Sequence, residues 1–186
     1  MWQTKNIVES RVQGCVQVFQ ATLGDSRGWF SRVLETGESE TFSIEPVVAV
    51  NNSWSRDAGT LRGLHWQARP YSEGKIVRCI RGSVLDIIVD VRAESPTFGS
   101  KATFRLESNE PSVVVVPKGC AHGILTLEDD TEIIYFTDHI YVPDAERGMR
   151  FDDPFAHLVL PLRPQQVSEK DLTWPDFQPK LPNAKG

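Results

Sequence analysis

The sequence predicts an all-β protein, an antiparallel sandwich or jelly-roll barrel with a few short helices. Three observations lead there. Thirteen Gly and 12 Pro break the chain of 186 residues at short intervals, which suits many short strands better than long helices. The stretches between the breakers are rich in Val, Ile, Thr and aromatics, the residues that favour a pleated surface. Several of them alternate with period two, and a helical period is scarce.

Taken in order, "GCVQVFQATL" reads as the first clear strand, and "SRGWFSRVLETG" as one short helix or another strand. "EPVVAVNNSW", "TLRGLHWQ" and "GKIVRCIRG" follow as strands. "SVLDIIVDVR" puts Val84, Asp86, Ile88, Asp90 and Arg92 on one face and Leu85, Ile87, Val89 and Val91 on the other. "KATFRLES", "PSVVVVPKG", "HGILTLED" and "TEIIYFTDHIYV" complete the set; the last would carry Tyr135 and Tyr141 on one face, six residues apart. "SEKDLTWPD" reads as a helical turn capped by Ser168.

Composition narrows the function. The length suggests a single domain over 1–186 with a sizeable core. A net charge of -5 argues against a nucleic-acid partner. The three cysteines, Cys15, Cys79 and Cys120, lack CxxC spacing and read as reduced, buried thiols. "MWQTKNIVES" is too polar for a signal peptide, and no apolar run approaches the ~18 residues of a membrane helix. The expectation is a cytoplasmic protein without a membrane partner.

Among only four histidines, His65 stands between apolar residues in "TLRGLHWQ". A regular strand would turn it away from Arg62. It could be a base, a metal ligand or a satisfied core residue. Jelly-roll metal sites commonly pair histidines as HxH, and His65, His122, His139 and His157 are scattered, so no metal is expected. Lys75 follows Gly74 at a strand entrance, and His122 follows a Pro-Lys-Gly turn. Each also has a plain structural reading, and no local spacing links them.

The motifs "GTLRGLHWQ", "EGKIVRCIRGSVLDIIVDVRAESPTFG", "VPKGCAHGILTLED", "PDAERGMRFDDP" and "SEKD" together resemble the dTDP-4-dehydrorhamnose 3,5-epimerases, in that family's order and roughly its spacing. The resemblance implies a cupin-type jelly roll, a homodimer, no metal or organic cofactor, and a nucleoside-diphosphate 4-keto-6-deoxy sugar as substrate. It implies His65 as the base, Asp171 as its carboxylate partner, Tyr135 as the acid and Lys75 beside the C4 oxygen. Arg27, Asn52, Arg62, His122, Tyr141, Glu146 and Lys170 would contact the nucleotide-sugar. The conflict between Arg62 and His65 would be resolved by a local bend or an arm from the neighbouring subunit.

Chemistry agrees with that implication. A C4 ketone acidifies the hydrogens on C3 and C5, so epimerisation needs a base, an acid on the opposite face and a cation for the enolate oxygen. The chain departs from the family at Arg32, where a glutamate is frequent, and at Val50 in place of a glutamine. Both departures lead to the expectation that thymidine is not strongly preferred over cytidine or guanosine. Alternatives are inversion of C3 or C5 alone, or a silent nucleotide-sugar-binding barrel. Apolar strands such as "PSVVVVPKG" are expected to need their edges protected in the homodimer.

Overall fold

The computed structural model describes residues 4–34 and 46–179. One sheet contains β1 (Thr4–Glu9), β2 (Val16–Gln20), β5 (Ala49–Ser55), β7 (Lys75–Arg81), β10 (Ser112–Val116) and β12 (Thr131–Thr137). Their order is β1-β2-β10-β7-β12-β5. The second sheet runs β13-β6-β11-β8-β9. Its strands are β6 (Thr60–Gln67), β8 (Ser83–Asp90), β9 (Lys101–Glu107), β11 (Cys120–Thr126) and β13 (Glu146–Gly148). A short β14 (Gln166–Val167) joins β6 in parallel, and every other pairing is antiparallel. The expected double-sheet jelly roll is present.

Inward residues of both sheets make the central core. Val77 and Cys79 of β7, Val114 and Val116 of β10 and Ile133 of β12 meet Val84 and Ile88 of β8, Phe104 and Leu106 of β9, and Ile124 of β11. A second cluster covers the outer face of the second sheet. There Leu61, Leu64, Ile87 and Leu125 pack under Met149, Phe151, Phe155 and Phe177 from the C-terminal chain. Both faces of β8 are therefore buried, although Asp86 and Asp90 belong to it. All three cysteines are free and buried, and burial pushes the thiols of Cys79 and Cys120 up to about 11 and about 12.

The "SPTFG" motif has a structural explanation. Asp90 accepts hydrogen bonds from the Arg92 guanidinium, the Ser95 hydroxyl and the Thr97 hydroxyl. Burial opposes the charge of Asp90, yet these donors hold its carboxyl below the usual range. The cluster ties down the connection between β8 and β9.

Two expectations need correction, and one open choice is decided. Over its described residues "SRGWFSRVLETG" contributes a strand, not a helix. That strand, β4 (Gly28–Phe30), forms a hairpin with β3 (Leu23–Asp25), and 35–37 lie outside the described residues. Tyr141 does not share a strand with Tyr135: β12 stops at Thr137, whose hydroxyl donates to the His139 carbonyl. The next residue, Asp138, turns its carboxylate to the Gly74 amide at 2.7 Å. Finally, β10 is no edge. It lies between β2 and β7, with Val113 and Val115 packed near Val33, Leu34 and Phe136. Its apolarity is used up within one chain. The helical turn is as expected: α1 (Glu169–Leu172) starts at Ser168, whose hydroxyl accepts from the Asp171 amide.

Candidate active site

A cavity with two lobes of about 560 and 350 Å³ is lined by residues of both sheets. His65, Lys75 and Tyr135 belong to the walls of both lobes, so they stand where the lobes meet. His65 comes from β6 in one sheet, and Lys75 and Tyr135 come from β7 and β12 in the other. A ligand between the sheets would thus have the imidazole on one side and the phenol on the other.

The expected bend in β6 is present, at Gly63. Pairing with β11 slips there: His122 lies opposite His65, but Ile124 lies opposite Arg62. Gly63 has φ +120, and a Cβ on it would come within 2.6 Å of Gly123 Cα. Only glycine tolerates both conditions. The slip lets Leu61 and Leu64 enter the outer core while Arg62 and His65, also three apart, face the cavity.

His65 Nε2 lies 2.6 Å from Asp171 Oδ1, and the Gly63 amide donates to Asp171 Oδ2 at 3.3 Å. Burial disfavours ionised Asp171, but the hydrogen bond and charge of His65, with the Gly63 amide, hold its carboxyl below the usual range. An ionised carboxylate only accepts, so Nε2 is the donor in this contact and Nδ1 is the ring nitrogen that Asp171 does not engage. On the neighbouring strand His122 Nε2 meets Asp86 Oδ1 at 2.7 Å. Asp86 is fully buried, and among the described residues its Oδ2 has no hydrogen-bond partner.

Tyr135 is held above its usual 10.0 by burial first and by the Glu73 charge second, with Arg62 opposing. It stays a protonated donor at neutral pH. Lys75 Nζ is 3.1 Å from Glu73 Oε1. At the rim, Glu146 Oε2 accepts from the Tyr141 hydroxyl at 2.7 Å and from Lys170 at 2.5 Å. Despite partial burial, these bonds lower the Glu146 carboxyl. Arg62 and Lys170 add positive charge to the larger lobe.

Two expected contacts are not brought to this cavity. Arg27 is on the β3–β4 hairpin, exposed and paired with Asp25. Asn52 points outward and donates to Glu132 at 2.7 Å. Cross-strand partners share a face, and the residue opposite Tyr135 is Asn51; Asn51 lines the smaller lobe. The departures at Arg32 and Val50 also lie off the cavity walls, Val50 on the outer face at 61% exposure. Sequence reasoning missed Asn51, Glu73 and Asp86. For Asp86 a signal existed, a carboxylate alternating with Val84 and Ile88. Among the described residues, no group of three or more His, Cys, Asp or Glu is placed to hold a metal ion.

The family profile described as dTDP-4-dehydrorhamnose 3,5-epimerase matches residues 9–179. The chain belongs to this family. This epimerase is 40% identical to the dTDP-4-dehydrorhamnose 3,5-epimerase of Sinorhizobium fredii over 156 residues, 83% of this chain and 80% of the relative. The enzyme of that name from Bacillus anthracis, solved with TDP and PPi bound, superposes with a TM-score of 0.87 at 31% identity. That match covers 92% of this chain and 99% of the other. The dTDP-6-deoxy-D-glucose-3,5-epimerase of Legionella pneumophila, in complex with dTDP-4-keto-L-rhamnose, gives 0.83 at 32% identity, covering 90% and 89%.

Proposed function

We propose that this epimerase inverts C3 and C5 of a dTDP-linked 4-keto-6-deoxy sugar through an enolate, working as a homodimer. The observation that carries the mechanism is the opposition of His65 and Tyr135 across one cavity, with Lys75 beside them. His65 Nδ1 takes the proton from the carbon next to the C4 ketone, and the C–H electron pair moves onto the C4 oxygen. The Lys75 ammonium neutralises that oxygen as charge develops. Asp171 holds the imidazole in the reactive tautomer and stabilises the imidazolium, as the carboxylate of a catalytic triad does. Tyr135 then donates its proton to the opposite face, and solvent restores both groups before the second centre reacts. Arg62 and Lys170 supply the positive charge that a diphosphate needs. The thymidine nucleotide is supported by family membership and by the TDP and dTDP-sugar in the solved relatives.

Incubation with dTDP-4-keto-6-deoxyglucose in D2O, followed by NMR at C3 and C5, tests this reading. Wild type should incorporate deuterium and invert both centres. His65→Asn should slow exchange by ~10²–10⁴-fold, the usual contribution of a general base. Exchange near the wild-type rate in folded His65→Asn would remove His65 from the mechanism, and deuterium at one centre alone would reduce the activity to single-centre epimerisation.

A further inference from the structure

Glu73 occupies the turn into β7, two residues before Lys75. Its side chain is 11% exposed and that of Lys75 is 12% exposed, with 3.1 Å between Oε1 and Nζ. Among the described residues, Lys75 is the only group meeting this carboxylate at ion-pair or hydrogen-bond distance. The same carboxylate lines the smaller lobe with His65, Tyr135, Tyr141 and Glu146. A carboxylate so removed from water is costly unless it is paired. A lysine on a flexible four-carbon stem, in turn, points nowhere in particular without a partner.

We propose that Glu73 is a positioning residue: it aims the Lys75 ammonium at the C4 oxygen of the bound sugar. The assignment rests on the epimerase mechanism above and names a residue which that mechanism does not use. Other charged and titratable groups face Tyr135 across the two lobes. Arg62 and His65 come from β6, His122 from β11, Lys75 from β7, Tyr141 and Glu146 from the chain beyond β12, and Lys170 and Asp171 from α1. Of the carboxylates among them, Asp171 is engaged by His65, and Glu146 by Lys170 and Tyr141. The Glu73 charge acts on Tyr135 second only to burial in raising its hydroxyl.

The sign follows. A negative neighbour disfavours tyrosinate, so removing it lets Tyr135 lose its proton at lower pH. Glu73→Gln keeps the shape and an acceptor oxygen for Lys75 but removes the charge; Glu73→Ala removes both. Pre-steady-state exchange and inversion would be followed against pH for wild type and both variants, with and without Tyr135→Phe. Expected are an alkaline limb of kcat shifted to lower pH in Glu73→Gln with KM within about twofold, and a kcat lower by about tenfold or more in Glu73→Ala, where Lys75 is no longer aimed. In the Tyr135→Phe background, Glu73→Gln should leave the alkaline limb of residual exchange unmoved. Should Glu73→Ala fail to fold, Glu73→Gln decides. A Glu73→Gln enzyme with the wild-type kcat and alkaline limb would overturn the assignment, whereas a wild type that neither exchanges nor inverts would defeat the mechanism itself.

Discussion

His65 and His122 lie opposite each other on paired strands, and each gives Nε2 to a carboxylate. Their side chains differ in access, 29% exposed for His65 and 10% for His122. The more open imidazole is the one able to reach a carbon acid and then return its proton to solvent, which supports His65, rather than His122, as the base. If base and acid are separate groups on opposite faces, they can be separated by mutation. Tyr135→Phe should keep deuterium exchange at the reacting carbon but return the proton to the original face, slowing net inversion by ~10²-fold or more. Inversion at the wild-type rate in that variant would make water or another side chain the donor. The residues of the proposed proton relay were named from family motifs alone. Asp171 lies 106 positions from His65, a separation that no spacing rule connects. Asn52 was misplaced because a choice between neighbouring asparagines depends on which face β5 turns inward, and that is fixed by its register with β12.

Strands are where the sequence was most readable, because burial of one or both faces imprints period two or a continuous apolar run. What alternation misses is interruption. Regular alternation in "TLRGLHWQ" would separate Arg62 from His65, and the slip at Gly63 brings them together. The β3–β4 hairpin escaped because strands of three residues are too short to show a period. Gly63 offers a test of how much the site depends on this one element. An added Cβ would meet Gly123 Cα at 2.6 Å and the His122 carbonyl oxygen at 2.7 Å, both backbone atoms, at a φ that L residues avoid. Gly63→Ala should therefore cost about 3 kcal/mol or more in urea unfolding, from left-handed strain and overpacking together. Activity should fall further than stability explains, because the Gly63 amide also holds Asp171. A loss below about 1 kcal/mol with full activity would mean that β6 and β11 can spread without disturbing the dyad.

At the scale of the whole molecule, the homodimer needs a different argument from the one the apolar run in β10 suggested, since that strand is interior. Among the described residues, β1 and β5 are the outermost strands of the first sheet. On the outer face of β5, Val50 and Trp54 are 61% and 47% exposed, and Ile7 and Val8 of β1 and Trp29 of the hairpin are also exposed. Edge strands that carry exposed apolar side chains invite pairing or aggregation unless something covers them. A two-fold contact covers the same patch on both copies and closes the assembly. It would also give Arg27, which lies on an exposed hairpin away from its own chain's cavity, a route to a neighbour's ligand. Light scattering at micromolar concentration should therefore give twice the mass of one chain. Trp54→Glu combined with Val50→Glu should shift the mass toward the monomer if β5 is the contact, and leave it unchanged if β1 or the hairpin is. A wild type that scatters as a single chain at these concentrations would leave those apolar side chains in water and remove the dimer from the proposed function.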